Sequence, residues 1–473
     1  MDKYKYLAKN IGLLALSSFA TKLLSFFLVP LYTNILTTEE YGIYDLFNTT
    51  IGVLLPVLTL NIQEAILRFA LDNKLSKKSI VSIGTRYFLI SNLIVVVGLG
   101  INKFFHFSTI ASDYALFFLL MFLAQSLSAV TMSYIRGIDR IADLSVSSII
   151  CSISTIFCNI AFLVIFGWGL IGYFIANVIG PVIQCVYLLF RANVFENISL
   201  TEKYNDETKE MLDYSRPMIA NSIAWWVNNA SDKYIVIWFC SLAENGIYSV
   251  ASKIPSILNI FSAIFSQAWT LSAVKDFDPD DKNGFFANTY AVYNCLLTII
   301  CSVIIICDKI LAHFLYAKDF YVAWRYVPWL TIALVFSALS GYLGGFFTAV
   351  KQTKMFAQSS VFGAVTNIIL NLAFTPIVGA MGAAIATSIS YFVMWILRLK
   401  QSKKYISLKV NVIRDVASYV VLAGQSIVLL LVENNAVMYS AELALFIIIL
   451  FLYISDIKRV VSKSFGALKK YKL

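Results

Sequence analysis

The chain has 473 residues, 59% hydrophobic and 14% charged, with a formal net charge of +10; its mean hydropathy is +0.77. So little charged surface excludes a protein that stays dissolved by itself, and the composition is that of a polytopic membrane protein. The positive balance does not point to nucleic acid, because Lys and Arg gather in the connections between apolar runs.

Met1 to Asn10 is basic and leads into an apolar run too long for a signal h-region and without an A-x-A site, so no cleavable leader is expected. Fourteen apolar runs are read, approximately residues 10–36, 42–69, 80–101, 113–136, 143–166, 169–190, 216–239, 246–274, 285–307, 325–350, 354–375, 380–399, 411–432 and 437–455. Each is long enough for a helix to cross about 30 Å of hydrocarbon. Helix is expected because each backbone group must find its partner within the segment. The runs also lack the alternation of a barrel strand. The longest connection, residues 191–214, is rich in both signs and separates six spans from eight.

Of the 37 Lys and Arg, 27 fall on the side of the N-terminus, 4 on the other side and 6 within the spans. The positive-inside rule then places both termini in the cytoplasm, which requires an even number of spans. The basic C-terminal tail reads as a contact for anionic headgroups.

Thr37 to Phe47 reads TTEEYGIYDLF and Ser241 to Ala251 reads SLAENGIYSVA. Glu40, Gly42, Ile43 and Tyr44 align with Glu244, Gly246, Ile247 and Tyr248 at a spacing of 204 residues. An offset of six spans makes the repeats parallel, related by an axis along the membrane normal. The expected fold is all-α and polytopic, with about 14 transmembrane helices. An N-terminal lobe covers residues 1–190, a cytoplasmic linker 191–214 and a C-terminal lobe 215–400. Residues 401–473 add two further helices and the basic tail. Two six-helix lobes related by a pseudo-two-fold axis would enclose a central cavity.

The six cations inside the spans are Lys22, Arg68, Arg86, Arg216, Lys233 and Lys253. A charge at the bilayer centre costs roughly 2.5–3.5 kcal/mol on insertion scales, so each needs a reason, and an anionic cargo supplies one. Lys22 lies too deep to snorkel easily and is expected to line the cavity or to pair with Asp45 or Glu64. Lys253 is expected to face the other lobe. Asp232 and Lys233 are adjacent and point about 100° apart on a helix, so they pair poorly with each other. Arg68 and Arg86 lie near the cytoplasmic face, with Glu64 at a spacing suited to a local ion pair with Arg68. Arg216, just before Pro217, anchors a helix entry or captures phosphate at the cytoplasmic mouth. Trp225, Trp226, Trp269 and Tyr290 offer rings for sugar faces or for an interfacial belt.

Several features carry no chemistry. Seven cysteines show no C-x-x-C spacing, two histidines are too few for a metal site, and no P-loop occurs. Asp278-Pro279-Asp280-Asp281 reads as a solvated loop.

The opening Phe27-x-x-Pro30-Leu31, then Glu39-Glu40-Tyr41-Gly42, Arg216-Pro217, Asp232-Lys233 and Gly246-Ile247-Tyr248-Ser249 resemble the polysaccharide branch of the multidrug/oligosaccharidyl-lipid/polysaccharide exporter superfamily, the Wzx-type flippases. The aromatic stretch from Phe314 to Trp324 adds to the match. The resemblance covers essentially the whole chain. It implies a two-lobed, MATE-like alternating-access transporter of the inner membrane, not an enzyme. Its cargo would be undecaprenyl-diphosphate-linked oligosaccharide, moved from the cytoplasmic to the periplasmic leaflet. Membrane lipids, a polysaccharide polymerase and a chain-length regulator are the expected partners. Asp232 with Asn367, Asn371 and Thr387 (and Ala383) also resembles the sodium site of lipid II flippases, so a coupling Na+ or H+ is expected and no other cofactor. There the position of Asn371 can be a carboxylate; here it is an amide.

Two rival classes fit these residues less well. A cation-coupled drug exporter of the same superfamily prefers acidic cavity groups, which the Lys-rich interior does not offer. A membrane glycan polymerase needs substantial outer loops, and these are short.

Overall fold

The computed structural model describes residues 26–72, 74–199, 201–275, 277–350 and 352–458. Among them the regular structure is helical throughout. The first run (10–36) lies mostly outside these residues, and only α1 (Val29–Ile35) represents it.

The chain divides into two compact units, residues 1–230 and 231–473. In the first, α2 (Thr38–Leu58) and α3 (Ile62–Asp72) together replace the single run expected over 42–69. Pro56 sits in the last turn of α2, and Leu60 and Asn61 take positive φ values of 52° and 55°. That conformation stops a helix. There follow α4 (Lys77–Phe105), the short α5 (Thr109–Asp113), α6 (Ala115–Gly137), α7 (Ile141–Asn159) and α8 (Gly169–Arg191). A π-helical segment, Ile160–Ile165, prolongs α7. A buried cluster including Ile66, Ile83, Ile135, Leu188 and Met211 ties α3, α4, α6 and α8 to the start of α9 (Asn205–Phe239). The faces turned outward are apolar too: Leu93, Val97, Phe157 and Ile165 are among the exposed large hydrophobic side chains. That is the pattern of a protein whose solvent is lipid.

The helix α9 starts inside the expected 191–214 linker, and the two compact units divide within it. The second unit continues with α10 (Leu242–Ala251), α11 (Ser256–Lys275), α12 (Phe285–Leu315), α13 (Val327–Ala349), α14 (Thr353–Val378), α15 (Ala380–Ser402), α16 (Val412–Leu431) and α17 (Asn435–Leu452). Its centre is α13, whose apolar window is 78% buried. Packed on α13 and α14, α15 opens with buried Ala380, Gly382, Ala383, Ala384 and Ala386, small residues that let helix backbones approach closely.

Among the described residues eleven helices are long and apolar enough to cross a membrane, or twelve if the pair α10 and α11 forms one span. That pair bends by 51° at residues 252–255, so the run expected over 246–274 is broken. Pro255 accounts for the break, since it lacks the N–H an unbroken helix would use there. The run expected over 216–239 is helical within α9 but is not among the eleven. Asn228, Asn229, Ser231, Asp232 and Lys233 make its middle too polar.

The repeated stretches start their helices in the same way. Thr37 and Glu40 form a capping box on α2, with Thr37 N donating to Glu40 Oε2 at 2.8 Å. In the second copy Glu244 N donates to Ser241 Oγ at 3.0 Å. The aligned Glu therefore sits three residues after an N-cap in both copies, where a carboxylate also suits the helix dipole.

Candidate functional site

Asp232 stands in the polar middle of α9. Its Oδ1 accepts from Lys233 N at 3.0 Å, and its Oδ2 accepts from the Tyr248 hydroxyl at 2.7 Å. Tyr248 is buried on α10, with Thr387 of α15 beside its hydroxyl. Thr387 Oγ1 in turn accepts from Asn367 Nδ2 at 3.2 Å, as does Ser390 Oγ at the same distance. Asn371, one turn along α14, donates to the Asn367 carbonyl at 2.9 Å and to its Oδ1 at 3.1 Å. The four residues expected to form an ion site thus lie in two hydrogen-bonded groups, Asp232 with Tyr248 and Thr387 with Asn367 and Asn371, that meet where Tyr248 faces Thr387.

Tyr248 stands between the two groups, and in the sequence it is marked only by its place in the repeat. Its aligned partner Tyr44 has a different setting, 4.4 Å from the ring of Tyr173 among Tyr32 and Tyr41. The acid-holding tyrosine is therefore a feature of the second copy. At the far end of the second group, Asn371 Oδ1 and Thr375 Oγ1 are buried and accept no hydrogen bond among the described residues. With Asn367 they form a row at i, i+4, i+8 on α14. These are hard oxygen donors, the type that alkali and alkaline-earth cations prefer. Among the described residues no group of three or more His, Cys, Asp or Glu is placed to hold a metal.

The expected cations differ in their local surroundings. Lys22 lies outside the described residues. Arg68 is exposed and pairs with Asp72 at 3.1 Å, not with Glu64 as its spacing had suggested. Arg86 donates to the carbonyls of Ser199 (3.4 Å) and Glu202, with its guanidinium 5.8 Å from the Tyr204 ring. It thereby fastens the connection after α8 onto α4. Arg216 is exposed early in α9. Lys233 is half-buried beside Asp232, and Lys253 is half-buried in the turn between α10 and α11.

A cation that the sequence reading assigned to the cytoplasmic loops is buried instead. Arg398 of α15 is 4% exposed. It donates to Ser359 Oγ at 2.9 Å, Ser340 O at 2.7 Å and Ser360 Oγ at 2.8 Å, and lies 4.2 Å over the Phe356 ring. Its long stem and five donors join α13, α14 and α15.

The rings suggested for sugar faces are mostly committed elsewhere. Trp269 stacks on Tyr342 at 3.9 Å, Tyr290 accepts from Trp395 Nε1 at 3.0 Å, and Trp226 Nε1 donates to Thr49 O at 2.8 Å. Trp225 is exposed. In the Asp278–Asp281 loop, Asp278 accepts backbone N–H groups of Asp280 and Lys282, while Asp281 accepts those of Phe286 and Ala287 at the start of α12.

The sequence model of the family described as polysaccharide biosynthesis protein matches residues 7–270. The chain belongs to that family. A probable low-salt glycan biosynthesis flippase of Haloferax volcanii, Agl15, is 21% identical over 307 residues, and the match spans 63% of each chain. Among solved structures, a lipid II flippase MurJ in an inward closed conformation has a TM-score of 0.69 at 16% identity, covering 94% of this chain and 98% of the other. A multidrug resistance MATE family transporter of the MOP superfamily, inward-facing, has a TM-score of 0.65 at 14% identity, covering 81% and 95%. These establish the expected helical fold, shared by lipid flippases and drug transporters. The family is the one the sequence motifs had suggested.

Proposed function

We propose that this protein is a flippase that moves undecaprenyl-diphosphate-linked oligosaccharide from the cytoplasmic to the outer leaflet of the inner membrane by alternating access, driven by a coupling cation. Both termini lie in the cytoplasm in this reading, and the polymerase and chain-length regulator act on the delivered units. The observation that carries it is α9, a helix among apolar spans that keeps Asp232 and Lys233 at its middle, with Asp232 bonded to Tyr248 beside a buried polar group on α14 and α15. A membrane protein with no use for ions would replace such residues. Family membership and the glycan flippase relative support the cargo class.

In this reading Asp232 is the coupling carboxylate. Asn367, Asn371 and Thr387 supply neutral oxygens, so one carboxylate charge meets a monovalent cation, Na+ or H+. Lys233, Lys253 and Arg216, with Lys22, meet the diphosphate as point charges or as a bidentate fork. Arg68 and Arg86 are left out of this set, because each is already engaged near its own helix end.

Deletion of the gene in a cell that makes a repeat-unit polymer tests this. Loss of a flippase leaves lipid-linked units on the cytoplasmic face, protected from periplasmic enzymes. Single units delivered to the outer face would instead indicate a polymerase and overturn the reading.

A further inference from the structure

The last two spans, α16 and α17, pack against α12. Buried acids occur on all three helices, and the fold treats them in two ways. Asp415 and Asp456, at the end of these helices where α16 begins, share Arg414: its guanidinium lies 2.8 Å from Asp415 Oδ1 and also contacts Asp456 Oδ2. These acids are paired with a cation.

Toward the opposite end of the same helices no such cation is supplied. Glu442 of α17 and Asp308 of α12 are each 0% exposed. Glu442 Oε2 accepts from Gln425 Nε2 at 2.9 Å, and Gln425 Oε1 accepts from Ser302 Oγ at 2.7 Å. Glu442 Oε1 and both oxygens of Asp308 have no hydrogen-bond partner among the described residues. Lys309 acts electrostatically on both carboxyls, but its ammonium is placed 3.1 Å from Met438 Sδ and 4.6 Å from the Trp324 ring centre. The other titratable groups near the pair are Cys307 on α12, Tyr321 on the 3-10 segment Lys318–Arg325, and Tyr439 on α17. From α16 the neighbour is Gln425, which does not titrate.

A carboxylate that is buried in a span and receives no donor hydrogen is far costlier than a neutral carboxyl group. Polar side chains continue along α12 at about one-turn steps, Asn294, Thr298 and Ser302. Asn294 Oδ1 accepts from Thr298 at 3.4 Å and from Tyr419 of α16 at 2.9 Å. Glu442 is therefore bonded through Gln425 to Ser302, the end of a polar row on α12 that runs toward the Arg414 end.

We propose that Glu442 and Asp308 are reversible proton-binding groups in the C-terminal helices, separate from Asp232. The step is proton transfer alone. A carboxylate oxygen takes a proton from water that reaches the site and later returns it; only an O–H bond forms and breaks. The site goes beyond the polar groups at Asp232, and its first test needs neither cargo nor the flippase reading.

Infrared difference spectroscopy on the full chain in lipid bilayers, taken between acid and alkaline pH, reads the carbonyl stretch of protonated carboxyls and its shift in D2O. The expected result is a band that comes and goes reversibly with pH and is reduced or lost in Glu442→Gln and in Asp308→Asn, with thermal melting confirming that each variant is folded. No band, a band constant across the pH range, or a band that persists in both variants overturns the proposal; the wild-type measurement decides even if one variant fails to fold. In reconstituted vesicles, an imposed pH gradient is expected to accelerate lipid-linked glycan transport in the wild type and not in E442Q. An unchanged response in E442Q counts against the site. If the wild type moves no such cargo, the flippase reading fails and the infrared result stands separately.

Discussion

Tyr248 donates its hydroxyl to Asp232 Oδ2 at 2.7 Å, from the helix that begins with the second copy of the repeat. This bond turns an acid on α9 toward the polar residues of α14 and α15. A hydrogen bond to a charged acceptor is worth about 1.5–3 kcal/mol, or about 10- to 100-fold in an equilibrium constant. Tyr248→Phe is therefore expected to raise the ion concentration for half-maximal transport by about tenfold or more. Asp232→Asn is expected to remove the ion dependence. Transport in vesicles across an ion series checks both, and an Asp232→Asn protein with normal ion dependence would exclude the carboxylate from coupling.

Arg398 predicts a stability effect far from those groups. Arg398→Lys keeps the charge and loses the planar fork, so at least two of the three bonds to Ser340, Ser359 and Ser360 cannot be remade. At about 1 kcal/mol for each bond, the loss is about 2 kcal/mol. Arg398→Ala loses the stacking over Phe356 as well and is expected to be worse. Thermal unfolding of the purified protein measures the order wild type, Lys, Ala.

The turn between α14 and α15 predicts a glycine contrast. Gly379 has φ 64° and ψ −150°, a region essentially restricted to glycine. A Cβ on Gly382 would lie 2.5 Å from the Phe374 carbonyl carbon and 2.8 Å from Thr375 N, both backbone atoms. Gly382→Ala is expected to cost about 1–3 kcal/mol through forced backbone movement. Gly341 has nothing within 4 Å of such a Cβ. Gly341→Ala, within α13, is expected to be neutral or to stabilise by up to about 1 kcal/mol. Melting temperatures of the two variants should move in opposite directions or differ clearly.

Acid is expected to loosen the connection between α8 and α9. Glu202 there pairs with Lys78 of α4, and the hydrogen bond from that ammonium holds its carboxyl below the usual range. Ser199 N is bonded to Ser82 Oγ at 2.8 Å beside it. Because the folded value is depressed, the contribution is fully present above the ordinary glutamate value of about 4.3 and is lost as pH falls through the lower folded value. Backbone hydrogen exchange at residues 199–204 should be faster in Glu202→Gln than in wild type at neutral pH. The two should converge in acid. Equal exchange at neutral pH would exclude the pair as a clamp.

Hydropathy alone located most spans, since a run of 20 apolar residues has few options in lipid. Its failures have local causes: the left-handed Leu60 and Asn61 split one run, and Pro255 bends another. The repeat was legible because its aligned Glu falls where a helix start needs it. The cations within the spans were harder to place. Spacing alone cannot tell whether Arg68 bonds forward to Asp72 or back to Glu64, because both lie four residues away on the same face.

What the sequence by itself determined is that this chain lives in a bilayer, as helices, with a few ionisable groups that must have a use. These are sums over neighbouring residues and need no partner from elsewhere in the chain. Only the tertiary structure decided which polar groups meet: that Tyr248 holds Asp232 beside Thr387, that Arg398 is buried among serines, and that both oxygens of Asp308 and one of Glu442 lack a hydrogen-bond partner among the described residues. Such pairings depend on how each helix is rotated and how far it is displaced along its neighbours. That is settled by side-chain packing between segments far apart in sequence.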